Sequence, residues 1–210
     1  MRSVVGVTGV VVVVGANMKI KNNITLHFCI ALVVLMWCTG GLQAQPAENP
    51  FPSFGSGPIQ VRVYTDYFCP PCRAMEPSID PILKDLLSKN KITLTLVDVP
   101  FNRLTPLYAR YFLYALKAKN DVKHAFHVRN VLQDAAAADR IATEEDFKKL
   151  YAEKLIIYEV FDTSVLFARL NIMIKEDKIR QTPTFIIVRN GDTEKIEGKS
   201  DIIEALKLLQ

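Results

Sequence analysis

The sequence predicts an α/β domain whose sheet-forming parts are split by a long all-helical block, and three observations carry that prediction. Ile59 to Tyr67 reads as a strand, a helical pattern follows at once, and Lys91 to Val99 reads as a second strand, which together make a βαβ unit. From Leu104 to about Ile179 there are only successive amphipathic segments. Asn190-Gly191 then separates two short strand-like runs ahead of a last amphipathic segment, which makes a ββα unit.

The chain has 210 residues, half of them hydrophobic, enough for one well-buried domain and too few for two. Two apolar stretches near the start, Val4 to Ala16 and Ile24 to Trp37, are each too short to span a bilayer comfortably. The second has the parts of a secretory signal: Lys19 and Lys21 ahead of it, Leu32 to Met36 at its centre, and small residues from Gly40 to Ala44. We expect residues 1–44 to be a leader with cleavage near Ala44, an uncleaved anchor being the alternative, and Met18 is a better start than Met1. An extracytoplasmic, periplasmic location follows from that expectation. All 22 acidic residues lie beyond residue 44, whereas Arg2, Lys19 and Lys21 precede it, so the net charge of +4 falls to +1 in the exported part. That balance argues against a nucleic-acid surface.

Residues 45–58 are rich in Pro, Gly and Ser without an apolar period, and read as a flexible linker. The domain proper then runs from 59 to 210, with its helical insertion at about 104–179. Ile59 to Asp66 is β-branched and partly alternating, as a half-buried strand requires. From Cys72 to Asn90, Met75, Ile79, Leu83 and Leu86 recur at helical spacing, with Pro77 and Pro81 expected to bend the early turns. Lys91 to Val99 carries apolar residues dense enough for a buried strand. In the block, Tyr108, Tyr111, Phe112 and Ala115 share one helix face, Ala125, Val128, Leu132 and Ala135 another, and Leu166, Leu170 and Met173 a third. These stripes read as core. Thr143-Glu144-Glu145-Asp146 has the form of a helix-opening cap. Pro183 to Val188 and Thr193 to Glu197 flank the Asn190-Gly191 turn, and Asp201 to Leu209 reads as the closing helix.

Chemistry is signalled by Cys69-Pro70-Pro71-Cys72, placed between the first strand and the first helix. A cysteine at a helix N-terminus meets free amides and the positive end of the helix dipole, which lower its pKa and make its thiolate a good leaving group. Cys29 and Cys38 fall in the expected leader, so the exported part keeps only this pair and cannot hold a structural disulfide framework.

The element order, with Asp66-Tyr67-Phe68-Cys69-Pro70-Pro71-Cys72 at one end and Gln181-Thr182-Pro183-Thr184-Phe185 at the other, resembles the thioredoxin superfamily, and the helical insertion makes the chain similar to its DsbA-like thiol:disulfide oxidoreductases. The resemblance covers Ile59 to Leu209. It implies that Cys69 is the attacked sulfur and Cys72 the resolving one, that Pro70 and Pro71 tune the pair, that Pro183 is a cis-proline beside it, and that the backbone of Thr182 binds an extended substrate. It implies protein or peptide thiols as substrates, a membrane redox partner that resets the cysteines, a monomer and no cofactor. Val63 occupies the strand position where many relatives place a buried acid, so moving the Cys72 proton falls to water or to another group, with Asp66 and Asp98 as candidates.

The expected activity is mild oxidation of folding exported proteins, because neither residue between the cysteines offers an imidazole or an amide hydrogen to the thiolate. A reductase or isomerase of the same fold is the alternative, and a copper carrier using the Cys pair is the non-enzymatic one. No metal site is expected: zinc needs two more ligands, and His124 and His127, three apart, read as a solvated helix face. Arg103, Arg110, Lys117, Lys119, Lys123 and Arg129 likewise read as solvated charge.

Overall fold

The structure, a computed structural model, describes residues 52–210; the expected leader, the Met18 start, Cys29 and Cys38, and the linker as far as Phe51 lie outside the described residues. Eleven elements follow in order: β1 (Ser53–Phe54), β2 (Ile59–Thr65), α1 (Pro70–Ser88), β3 (Ile92–Asp98), α2 (Thr105–Ala118), α3 (Val122–Ala137), α4 (Glu144–Glu153), α5 (Ser164–Glu176), β4 (Thr184–Arg189), β5 (Asp192–Glu197) and α6 (Lys199–Lys207). One sheet holds the strands in the order β1-β3-β2-β4-β5. β2 and β3 are parallel, joined by α1 as a crossover; the other pairings are antiparallel. This is the thioredoxin fold with a helical insertion, α2 to α5, between its two units.

β3, ITLTLVD, has side chains buried on both faces, as a strand covered by helices on both sides must. On one face Val61, Val63, Leu94, Leu96, Phe185 and Ile187 join a large core with Met75, Ile79, Leu83 and Leu86 of α1 and the aromatic residues of α2 and α4. On the other, Tyr64, Val97, Val99 and Ile186 meet Leu170 of α5 in a smaller core. The stripe at Tyr108, Tyr111 and Phe112 is buried as expected, and Tyr111 stacks on Phe147 with ring centroids 4.3 Å apart.

Turn chemistry sets the joints. Asn190 (φ 54°) and Gly191 (φ 88°) link β4 to β5 in a two-residue hairpin with both central residues in the left-handed region, the reason for the Asn-Gly pair. Thr143 and Asp146 exchange side-chain and backbone bonds in a capping box that opens α4. Pro77 and Pro81 both lie inside α1.

The stretch read as flexible linker contributes an edge strand instead. Ser53–Phe54 pair with Leu94 and Thr95 of β3, and a Cβ on Gly57 would come within 2.2 Å of the Lys91 carbonyl carbon and the Ile92 nitrogen. Glycine there serves close backbone packing against β3, which composition cannot distinguish from a loose tether. Among the described residues no helix is long and apolar enough to cross a membrane.

Candidate active site

β2 ends at Thr65 and delivers a short loop, Asp66 to Phe68, that is locked by one side chain. Asp66 is buried and accepts from the backbone of Phe68 (2.8 Å) and of Asn102 (3.1 Å) and from the Thr105 hydroxyl (2.9 Å), while its own carbonyl accepts from the Cys69 amide (3.1 Å). It thereby ties the cysteine loop to the segment that follows β3.

Cys69 is the N-cap of α1, and Pro70 and Pro71 are its first two residues. Neither position needs an amide hydrogen for the helix, and both prefer the φ that proline fixes, so the double proline suits the helix start. It also strips the helix tip of donors. Among the described residues, the one amide that reaches the Cys69 sulfur is that of Cys72, at 3.2 Å. Cys69 and Cys72 form a disulfide with Cα atoms 5.3 Å apart. Cys69 is half-buried and Cys72 has no exposed surface, so only one sulfur can be reached from outside.

Across from the cysteines, the Thr182–Pro183 peptide is cis, Pro183 is buried, and the Thr182 carbonyl oxygen lies 3.4 Å from the Cys69 sulfur. Asp66, Phe68, Cys69, Phe101, Asn102 and Thr182 line a shallow groove of about 220 Å³. Phe101 is 55% exposed, an apolar lip where a solvated loop residue would ordinarily be polar. A larger cleft of about 720 Å³ lies between α3 and α4, but residues of both charge signs line it and no cysteine does. The candidate site is the smaller groove, which Cys69 lines.

The charge beneath the site departs from the sequence reading. Arg129, read as solvated, is 2% exposed. Its guanidinium donates to Asp98 (2.8 Å) and to the Thr65 hydroxyl, lies 3.8 Å from Glu76, and faces the rings of Tyr67 and Phe112. Burial alone would lower its pKa, but Asp98, Tyr67 and Glu76 outweigh that and raise it, so the cation is held firmly. A charge on the same helix face as Ala125, Leu132 and Ala136 was the legible sign. The structure also occupies both candidates for moving the Cys72 proton: Asp66 has three donors, and Asp98 accepts from Arg129 and from the Tyr67 hydroxyl at 2.9 Å.

Two groups escaped the sequence reading. Phe101 belongs to no apolar period, so nothing in sequence marked it. Glu76 could have been found: it stands one turn after Cys72 on a helix whose apolar stripe it borders. It is 7% exposed, Gln133 donates to its Oε1, and Oε2 has no hydrogen-bond partner. Of the two histidines, His127 is exposed and His124 half-buried.

Residues 56–210 match the thioredoxin family. No curated protein sequence matches the chain. Among solved structures, the chain is similar to a periplasmic thioredoxin-like protein from Salmonella enterica serovar Typhimurium (22% identity, 79% of this chain and 98% of that one, TM-score 0.55). It is similar to Pseudomonas aeruginosa DsbA2 (16% identity, 80% and 97%, TM-score 0.52) and to Wolbachia pipientis alpha-DsbA1 (13% identity, 79% and 92%, TM-score 0.59). These are likenesses of fold. The βαβ and ββα units, the dithiol at the tip of α1 and the family match over nearly the whole described chain lead to one assignment: the chain belongs to the thioredoxin family.

Proposed function

We propose that this protein is a thiol:disulfide oxidoreductase that accepts electrons from protein thiols outside the cytoplasm, acting as a mild oxidant. The observation that carries the reading is the asymmetry of the pair: a half-exposed Cys69 at the N-cap of α1, beside the Thr182 carbonyl, bonded to a Cys72 without exposed surface.

A substrate thiolate attacks the Cys69 sulfur, the Cys69–Cys72 bond breaks, and Cys72 leaves as thiolate. A second substrate thiolate then attacks the substrate sulfur of the mixed disulfide and releases Cys69. Two electrons pass from substrate to protein, which ends reduced. A further oxidant, on this reading a membrane redox partner, must reset the pair after each turnover. The backbone of Thr182 aligns an extended substrate segment by strand addition, and Phe68 and Phe101 favour an apolar residue beside the substrate cysteine.

The mildness follows from the tip of α1, where Pro70 and Pro71 offer no hydrogen to the sulfur and, among the described residues, the Cys72 amide is the single backbone donor on it. Each unit by which the Cys69 pKa falls stabilises the thiolate by about 1.4 kcal/mol, or roughly 30 mV in this couple. The test is oxidation of a reduced, unfolded protein together with a glutathione redox titration. We expect oxidation, abolished by Cys69→Ser, and a potential more reducing than the roughly −120 mV of DsbA. Insulin reduction without oxidation would make the protein a reductase, refolding of scrambled protein an isomerase, and a metal-bound pair inert toward disulfides a carrier.

A further inference from the structure

The step that breaks the Cys69–Cys72 bond leaves charge on a sulfur with no exposed surface, and a buried thiolate is costly unless a proton or a cation reaches it. The chain has no acid at Val63, and Asp66 and Asp98 are engaged by other donors. We infer that Glu76 is the acid that protonates Cys72 when it leaves, with Asp80 and Lys84 carrying the path on to solvent. The inference deepens the oxidoreductase reading above and rests on it.

Helix geometry supplies the placement. Cys72, Glu76, Asp80 and Lys84 recur every fourth residue along α1, so each lies one turn above the last in a row that winds slowly around the helix, with Cβ atoms of successive members about 5–6 Å apart. Side chains on a helix lean toward its N-terminus, which tilts Glu76 toward the turn that holds Cys72. Exposure rises along the row: Cys72 has none, Glu76 and Asp80 are buried, and Lys84 is exposed. The row runs from the unreachable sulfur to water.

Glu76 has the chemistry for the task. Its Oε2 is buried without a partner, an arrangement that a purely structural carboxyl would ordinarily avoid. The groups that face it are Arg129 and Gln133 from α3, Asp80 from its own helix and Asp98 from β3. Burial, first, holds its pKa above the ordinary carboxyl range, Asp80 and Asp98 add to that, and Arg129 and Gln133 oppose it. Asp80 is raised as well, again first by burial, with Lys84, Arg129 and Asn130 opposing.

In the step itself, the Cys69–Cys72 bond breaks, the electron pair stays on Cys72, and the proton of the Glu76 carboxyl moves to that sulfur. Glu76 becomes a carboxylate 3.8 Å from the Arg129 guanidinium, and its proton returns from solvent along Asp80. When an oxidant re-forms the disulfide the path runs in reverse: Glu76 first releases its proton along Asp80 to solvent, and the carboxylate then takes the proton of the Cys72 thiol.

The test is single-turnover oxidation of a dithiol peptide by wild type, Glu76→Gln, Glu76→Asp and Asp80→Asn across pH. Near neutrality we expect Glu76→Gln to be slower by roughly 10²-fold, the low end of what a positioned acid contributes, and Glu76→Asp to recover most of the rate. Only protonated Glu76 donates, so the wild-type advantage over Glu76→Gln should shrink as pH rises. Asp80 raises the Glu76 pKa, so in Asp80→Asn that advantage should end at lower pH; a structural role for Glu76 would produce neither effect. Redox-difference infrared spectra of the wild type provide a check that needs no variant: a protonated carboxyl band should change on reduction, and its absence would overturn the inference. If wild type exchanges disulfides and Glu76→Gln matches it within twofold at every pH, the role of Glu76 falls alone. If wild type does not exchange at all, the oxidoreductase reading falls with it.

Discussion

Each face of the sheet carries an arginine that reaches carboxylates, and the two clusters are built to opposite ends. On the α5 side, Arg62 donates to both oxygens of Asp177 at 2.7 and 2.8 Å, and the Tyr64 hydroxyl donates to the same carboxylate. One cation meets one anion, every group has a partner, and the pair keeps some contact with solvent. Beneath the cysteines, Arg129 is sealed and serves two acids at once, Asp98 at 2.8 Å and Glu76 at 3.8 Å, with Asp80 one turn further along α1. Acids outnumber the cation and one carboxyl oxygen is left open. The closed cluster pins the C-terminus of α5 to β2. The open one keeps a proton near the sulfur that must leave.

The difference can be broken most forcefully at Arg129. Arg129→Met leaves Asp98 and Glu76 buried without their cation, and we expect a loss of about 3–5 kcal/mol of stability in denaturant unfolding. Arg129 holds the Glu76 pKa down, so in whatever fraction of the variant stays folded, Glu76 should keep its proton to higher pH and the exchange profile should extend the same way. Asp177→Ala sharpens the contrast from the other side. It removes charge-assisted bonds from a cation that can turn toward water, so the expected loss is smaller, about 1.5–3 kcal/mol, and the exchange rate should stay within twofold of wild type. Equal redox effects from both variants would erase the distinction.

Much of this was legible in the residues because local rules and tertiary packing agree there. The Asn190-Gly191 hairpin, the Thr143 cap, the aromatic stripe of α2 and the cysteine pair at a helix start each carry a signal within a few positions. What stayed hidden depends on segments distant in sequence. The helix face of Arg129 hints at burial, but its partner Asp98 comes from β3, and the bonds that engage Asp66 come from Asn102 and Thr105. β1 looked like a tether because Gly55 and Gly57 serve close approach to β3, which the same glycines would not reveal alone. Phe101 became a groove lip only through the placement of its loop beside Cys69.

Disulfide exchange by this protein requires a reactive thiolate at Cys69, and the pKa of Cys69 in the reduced protein is the most direct test. The measurement is the pH dependence of iodoacetamide alkylation, with Cys72 shielded in the fold. We predict that Cys69 reacts as a thiolate well below the roughly 8.5 of a free cysteine, and ahead of Cys72 at every pH. An ordinary thiol pKa at Cys69, or equal alkylation of both sulfurs in the folded protein, would contradict it.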